Sequence, residues 1–277
     1  MNLSFFIRQI SLIMLLTAGV SLEMIGGVID LAFAAQLSAS AFLGIGLIFC
    51  GFPVWAGFIG IFLFNALTGV LKAAFFVKWK VPSVIFTLAI QVITANFLAG
   101  ITNNKSIVLR ELQGIRQEAV WMWIELVTAF LCMLCVYVFL ERTYYGKYCR
   151  MLGEDLQLAE ENGVKCFGIS VVVNLFASLF FSISAVFLMV RTGSSNSSLG
   201  ATYLYLILTA VFLGGMLPNT GKGRVFGMLS GSLAVTLAVT FLTGKGLLYR
   251  WENILEGSVI LLVLVLGVHR KNRKSSP

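Results

Sequence analysis

Long apolar runs follow one another along the chain, separated by short polar breaks. A bilayer core of about 30 Å is crossed by about 20 apolar residues in an α-helix. Runs of this kind cover residues 6–24, 28–50, 54–77, 82–100, 120–140, 166–190, 200–217, 225–243 and 253–269. They are continuously apolar, whereas the strands of a membrane barrel alternate between apolar and polar residues. The pattern therefore predicts an all-α polytopic membrane protein with about nine transmembrane helices.

Composition agrees with this class of protein. Hydrophobic residues make up 58% of the 277 residues and charged residues only 12%, with a mean hydropathy of +0.94. A soluble domain has about 25% charged residues, so this chain has too few charges to cover a water-facing surface. We expect residues 1–277 to form a single transmembrane domain. The first run is interpreted as a span and not as a signal peptide, since no small-residue cleavage site follows it.

Lysine and arginine positions predict the orientation, because cytoplasmic loops of membrane proteins are enriched in them. If the tail HRKNRKSSP is cytoplasmic, nine spans place the N-terminus outside. The inside segments then hold Lys72, Lys78, Lys80, Arg142, Lys147, Arg150, Lys165, Lys222, Arg224, Arg270, Lys271, Arg273 and Lys274. The outside segments hold fewer: Arg8, Lys105, Arg110, Arg116, Arg191, Lys245 and Arg250. This distribution accounts for the net charge of +8, and we expect no nucleic-acid binding.

The most polar segment lies near the middle of the chain, at Glu141–Lys165, where nine side chains are charged. Leu152, Leu156 and Ala159 fall on one side at helical spacing, and Gly163 can end the helix. The pattern predicts a short cytoplasmic helix that docks on a protein partner. A solvated loop lying on the membrane is the alternative, although acidic residues are disfavoured near the anionic inner leaflet.

This segment also resembles a known motif. YGKYCRMLGEDLQLAEENGV is similar to the cytoplasmic coupling loop in the permease subunits of ribose-type sugar ABC importers. Three further stretches resemble that family in the same order: GGVIDLAFAAQLSA, ALTGVLKAAFFVKWKVPSVIFTLA and LGGMLPNTGKGRVFGMLSGSL. The chain departs from the family at Ala32-Phe33-Ala34, where the family has Ser-Val-Gly. The resemblance begins at the family's second helix, so we expect one N-terminal span of the family to be absent.

The resemblance implies a permease subunit that moves a sugar or similar small polar solute across the bacterial inner membrane. It implies that a separate ATPase grips the coupling segment, residues 141–165, at Gly146, Leu152, Gly153, Glu154, Asp155, Leu156, Ala159 and Gly163. A second contact is expected at the turn Gly221-Lys222-Gly223. A second permease chain, identical or different, would enclose the path. A solute-binding protein would dock outside on loops such as 101–119 and 191–199.

The chain offers no nucleotide site of its own. A P-loop needs Gly-x-x-x-x-Gly-Lys followed by Ser or Thr, and Gly221-Lys222-Gly223 lacks both the spacing and the hydroxyl. ATP and Mg²⁺ are therefore expected on the partner ATPase, with no cofactor and no catalytic residue in this chain. We predict no metal site, because the Cys132-x-x-Cys135 pair lies in an apolar run and the single histidine, His269, is in the tail.

Polar residues within the apolar runs are the candidates for the translocation path: Asp30, Asn65, Gln91 and Asn96. Asp30 could line a cavity at a helix interruption, or it could cap a helix N-terminus. Glu23 and Glu125 are expected near the membrane interfaces, without a specific role. If Asp30 or Glu125 carried ions, the chain would instead be an ion-coupled transporter or channel. An intramembrane enzyme is disfavoured, since no HExxH or GxSxG motif occurs.

Overall fold

Ten α-helices make up most of the part of the chain that the computed structural model describes, which is residues 3–103, 105–109, 119–217, 220–245 and 258. The helices are α1 (Leu3–Ile25), α2 (Phe33–Phe49), α3 (Val54–Ala73), α4 (Ser83–Thr102), α5 (Ala119–Arg142), α6 (Tyr144–Glu154), α7 (Leu156–Glu161), α8 (Cys166–Thr192), α9 (Ala201–Leu213) and α10 (Val225–Gly244). A π-helical turn, Ala74–Lys78, extends α3. Two short strands, β1 (Ile107–Val108) and β2 (Ser194–Ser195), pair antiparallel.

Six of these helices are long and apolar enough to cross a membrane: α1, α3 with its π-turn, α4, α5, α8 and α10. Helices α2 and α9 are apolar but shorter. The prediction of an all-α membrane protein is confirmed, but the count of nine spans is not. The last predicted span, 253–269, lies outside the described residues apart from Ser258.

The predicted span 28–50 is wrong at its start. Residues 26–32, which we name the connecting segment, are not helical, and α2 begins only at Phe33. Two consecutive glycines open this segment, and Gly27 adopts a φ of +91°, a conformation that L-residues with side chains rarely take. Hydropathy missed the break because the segment remains mostly apolar.

Helices α1 and α8 form the centre of the bundle and are the most buried of the long helices. They run antiparallel, since Gly19 lies against Phe181 near their middles and Gly26 lies against Val173 near one end. Phe33 at the start of α2 stacks on Phe181, with ring centroids 6.1 Å apart. Helices α3 and α4 are far less buried, so their outer faces are available to lipid or to another chain.

The two ends of the bundle carry different structures. The coupling segment lies at the end where α1 and α3 finish, because Gly153 contacts Ile25 and Lys80 pairs with Glu160. The strand pair lies at the other end and joins two loops that sequence analysis placed outside, with Ile107 opposite Ser195. The start of α1 lies at that same end, since Arg191 Nη2 donates to Gln9 Oε1 over 3.4 Å.

The close contact between Gly153 and Ile25 at the coupling end can be tested by its effect on stability. A Cβ atom at Gly153 would overlap the carbonyl oxygen of Ile25, which is backbone and has little room to move. We expect Gly153→Ala to lower the free energy of unfolding by about 1–3 kcal/mol through overpacking. Thermal unfolding of the purified protein in detergent measures this. Gly100→Ala is the control: open space surrounds that position, so the change should be neutral or slightly stabilising.

Candidate coupling face and buried charge cluster

The coupling segment folds into two short helices and not into the single helix that sequence analysis expected. Thr143 caps α6, since its Oγ1 accepts the Gly146 N–H over 3.3 Å. Asp155 then breaks the helix and caps α7: its Oδ1 accepts the N–H groups of Gln157 at 2.8 Å and Leu158 at 3.1 Å. Gly163, with a φ of +76°, follows the end of α7. The role of Asp155 in this structure is therefore local, and it sets the angle between the two helices.

Helix α6 lies directly on the connecting segment. Gly153 packs backbone to backbone against Ile25 and Gly27, with no side chain between them. Gly146, at the other end of α6, also lies close to the carbonyl of Leu140. Because larger residues would push these backbones apart, the two glycines bring α6 against the transmembrane helices.

The expected docking side of the coupling segment faces inward. Leu152 is 2% exposed and Ala159 is 1% exposed, while Leu156 is half-buried against the same core. Leu152 and Ala159 pack within this chain, which corrects the expectation that they fill a partner's groove, while a docking role for Leu156 stays a prediction. Amphipathic spacing identified the apolar side correctly, but it carries no information about which chain covers that side.

A different set of side chains faces solvent on the coupling segment. Tyr144, Tyr148 and Met151 of α6 and Leu158 of α7 are all exposed, and we name them the exposed stripe. The three α6 members follow i, i+4, i+7 spacing, which places them on one face. These residues were not among the predicted contacts, although their spacing is visible in the sequence.

The second predicted contact, Gly221-Lys222-Gly223, lies beside α6. Arg150 Nη1 donates to the Gly223 carbonyl over 2.8 Å, and Arg150 Nη2 pairs with Glu141 Oε1 over 2.8 Å. Gly221 sits against the Arg150 carbonyl and next to Glu154, with a φ of +56°. Lys222 is exposed. The structure therefore brings the two predicted cytoplasmic features together in one face.

A cluster of three charged side chains lies directly behind this face. Lys72 Nζ is 2.6 Å from Glu23 Oε1 and 2.9 Å from Asp30 Oδ2, and none of the three residues is more than 1% exposed. The ammonium also lies 5.1 Å from the centroid of the Phe181 ring. Two expectations are corrected here: Lys72 is not a loop charge, and Glu23 has a specific partner within the bundle.

Asp30 uses both carboxylate oxygens. Oδ1 accepts the Ala32 N–H over 2.8 Å, just before α2. Ala32 is the N-cap residue of α2, and no side chain caps the helix, so the structure does not confirm the capping interpretation. Oδ2 binds Lys72. Its carboxylate is thus engaged with the protein's own donors, and a place in a solute path stays a prediction.

The other path candidates do not meet at one place. Asn65 is buried on α3, two turns before Lys72, and its amide has no hydrogen-bond partner among the described residues. Gln91 is half-buried on α4, whereas Asn96 is exposed there and donates to the Val92 carbonyl over 2.8 Å. Glu125, expected near an interface, is 2% exposed within the bundle.

Comparison with known proteins identifies the family. The model of the family described as "Branched-chain amino acid transport system / permease component" matches residues 2–264. The chain belongs to this permease family. The resemblance to ABC importer permeases found in the sequence is therefore confirmed, and the chain is a multi-pass transport subunit of the inner membrane and not an enzyme.

Curated relatives cover most of the permease. The autoinducer 2 import system permease protein LsrD of Escherichia coli K12 is 23% identical over 267 residues, which is 92% of this chain and 81% of the relative. LsrD of Shigella flexneri matches with the same identity and coverage. A solved structure, an inward-facing ABC transporter assigned to the metal-chelate type, matches 98% of this chain and 85% of its own, at 17% identity and a TM-score of 0.48.

The packing of α6 predicts how its cysteine reacts. Cys149 is buried under the exposed stripe, and this burial raises the pKa of its thiol to about 12, although Arg150 opposes the shift. Since the thiolate is the reactive form, we expect N-ethylmaleimide at pH 8 to leave Cys149 unmodified in the folded permease. The exposed Cys50 is the matched control and should react. Peptide mass spectrometry reads both sites, and rapid labelling of Cys149 would mean that α6 is a loosely attached loop.

Proposed function

We propose that the permease is the translocating subunit of an ATP-driven importer for a sugar or a similar small polar solute. The observation that carries the proposal is the coupling face, in which α6 lies against the transmembrane helices at Gly153 and presents the exposed stripe outward. Such a face suits a subunit that is moved by a separate machine. ATP and Mg²⁺ would be bound by that machine, an ABC ATPase, and this chain would hold no cofactor.

The solute class is supported by three separate considerations. The coupling segment and three other stretches resemble ribose-type permeases. LsrD is named for the import of autoinducer 2. Uncharged polar side chains, such as Asn65 and Asn174, are buried within the bundle and could serve hydroxyl groups. Monosaccharides and autoinducer 2 are therefore the first solutes to test.

The remaining partners follow from the two ends of the bundle. We infer that the ATPase binds the coupling end in the cytoplasm and that a solute-binding protein docks near the strand pair outside. This orientation keeps the start of α1 outside, as the basic residues predict. The apolar outer faces of α3, α4 and α5 would meet lipid and a second permease chain, which could be identical or different.

Ion coupling is the second candidate function, and one residue favours it. Glu125 is buried in the bundle, and its Oε1 has no hydrogen-bond partner among the described residues. Carboxylates at membrane depth often mark ion pathways. Glu23 and Asp30 fit this candidate less well, because Lys72 binds both of them.

Reconstitution separates the two candidates. With the ATPase and the binding protein present, we expect liposomes that contain the permease to accumulate labelled ribose or autoinducer 2 only when ATP is supplied, because this chain lacks its own nucleotide site. Collapse of the proton gradient should leave this uptake unchanged. Accumulation by the permease alone, driven by an ion gradient, would instead establish the second candidate.

Two neighbouring residues of α7 test the coupling face with the same substitution. Leu158 is 56% exposed and Ala159 is buried. We expect Leu158→Asp to leave insertion and thermal stability intact but to lower uptake per ATP hydrolysed, since a carboxylate would replace an apolar docking contact. Ala159→Asp should instead reduce stability and yield, because it buries an unpaired charge.

The first variant tests docking on the exposed stripe, and the second tests the packing of α7 on the bundle. A Leu158→Asp permease that assembles and transports with normal coupling would remove the exposed stripe from the docking surface. An Ala159→Asp permease as stable as the unmodified chain would show that α7 does not pack on the bundle as described.

A further inference from the structure

We propose that Lys72 is a positioning residue for transport: it fastens the connecting segment to α3, so that a push on α6 moves α3 and not α6 alone. This inference rests on the proposed function, because it assumes an ATPase that moves the coupling face. It concerns the mechanical joint inside the permease, which lies between the coupling face and the transmembrane helices.

The first step is the contact between α6 and the connecting segment. The Cα atom of Gly153 and the carbonyl of Leu152 both lie within van der Waals reach of a Cβ atom built on Gly27. Backbone lies against backbone here, and the Phe76 ring of the π-helical turn packs against the same glycine. Any movement of α6 toward the bundle must therefore displace Gly27 and its neighbours.

The second step is a pair of carboxylates, one just before the connecting segment and one within it. Glu23 precedes it by three residues, Asp30 lies within it, and Lys72 of α3 binds both. Asp30 also holds the start of α2 through the Ala32 N–H. One ammonium therefore ties the end of α1, the connecting segment and the last turn of α3 at a single point.

The third step is a neutral attachment to α4. Ser83 Oγ accepts the Ile29 N–H over 3.1 Å. Thr87 Oγ1 lies 3.0 Å from the Ile29 carbonyl oxygen, but its shorter bond, over 2.8 Å, is to the Ser83 carbonyl of its own helix. The connecting segment is thus bonded to both α3 and α4. These are the least buried of the six long helices, although α3 also packs closely on α8, where Gly69 lies against Asn174 and Ser178.

The charges themselves point to a mechanical role. A buried ion cluster is weak evidence for stability, because its replacement by well-packed neutral residues is often neutral or stabilising. Separation of its members is strongly unfavourable, since bare charges would remain in an apolar interior. Separating the three charges therefore costs more free energy than the cluster contributes to the stability of the fold. This property suits a contact that must stay closed while the helices move.

The test neutralises the whole cluster at once. The triple variant Glu23→Gln, Asp30→Asn, Lys72→Met leaves no buried charge behind and keeps an acceptor oxygen for the Ala32 N–H. It is reconstituted in liposomes with the ATPase and the binding protein, beside the unmodified permease. We expect its melting temperature to stay close to that of the unmodified permease and its ATP hydrolysis to persist. Uptake per ATP hydrolysed should fall about tenfold, within the usual range of coupling between sites.

Thr236→Val is the matched control. Thr236 is equally buried, but among the described residues its hydroxyl bonds only to the Ser232 carbonyl of its own helix, α10. This variant should keep normal coupling. If the unmodified permease shows no ATP-driven uptake, the proposed function is refuted; if it is active and the triple variant couples normally, the role of Lys72 is refuted.

A distance measurement covers the case in which the triple variant does not assemble. Spin labels are placed at the exposed positions Lys147 on α6, Leu67 on α3 and Leu237 on α10 of an otherwise unmodified permease. When nucleotide binds the assembled importer, we expect the α6–α3 distance to hold while the α3–α10 distance changes. A change in the α6–α3 distance would show that the joint yields, which contradicts the proposal.

Discussion

One ammonium shared by two carboxylates organises this bundle. An unpaired charge is strongly unfavourable in an apolar interior, so Glu23, Asp30 and Lys72 are stabilised only when they meet one another. They come from three elements, namely α1, the connecting segment and α3, and all three are buried together. The need to bring them together therefore constrains how α1 and α3 pack, and it holds the non-helical connecting segment within the bundle.

The non-helical connecting segment leaves backbone N–H and C=O groups that a helix would have paired. Non-helical backbone that is buried must find hydrogen-bond partners within the protein. Backbone carbonyls of α1 accept the N–H groups of residues 26–28, and the side chains of Ser83 and Asp30 accept those of Ile29 and Ala32. The end of α1 and two polar side chains thus share in fixing the connecting segment, and Asp30 serves both the backbone and the ion cluster.

Local patterns in the sequence predicted the helices and their order, because hydropathy depends on neighbours along the chain. The same patterns placed Lys72 in a loop, since its partners lie 49 and 42 residues away and leave no local trace. They also assigned Leu152 and Ala159 to a partner, because amphipathic spacing marks an apolar side without naming what covers it. Of the candidate site, the chain's own sequence thus predicted the location of the coupling segment and the Gly221–Gly223 turn, but neither their contact nor the charge cluster behind them.

The inward packing of Leu152 and Ala159 makes the coupling face more suited to transmitting force. If the apolar side of this helix were buried against a partner, only the ends of the helix would connect it to its own bundle. A force on the helix would then bend those connections and would not move the bundle. In this structure the apolar side of α6 and α7 is buried against the same chain. Arg150 bonds α6 to the Gly221–Gly223 turn, and Gly153 packs on the connecting segment. Under the proposed function, a partner would need only the exposed stripe, and a displacement of α6 would reach the backbone of the connecting segment directly.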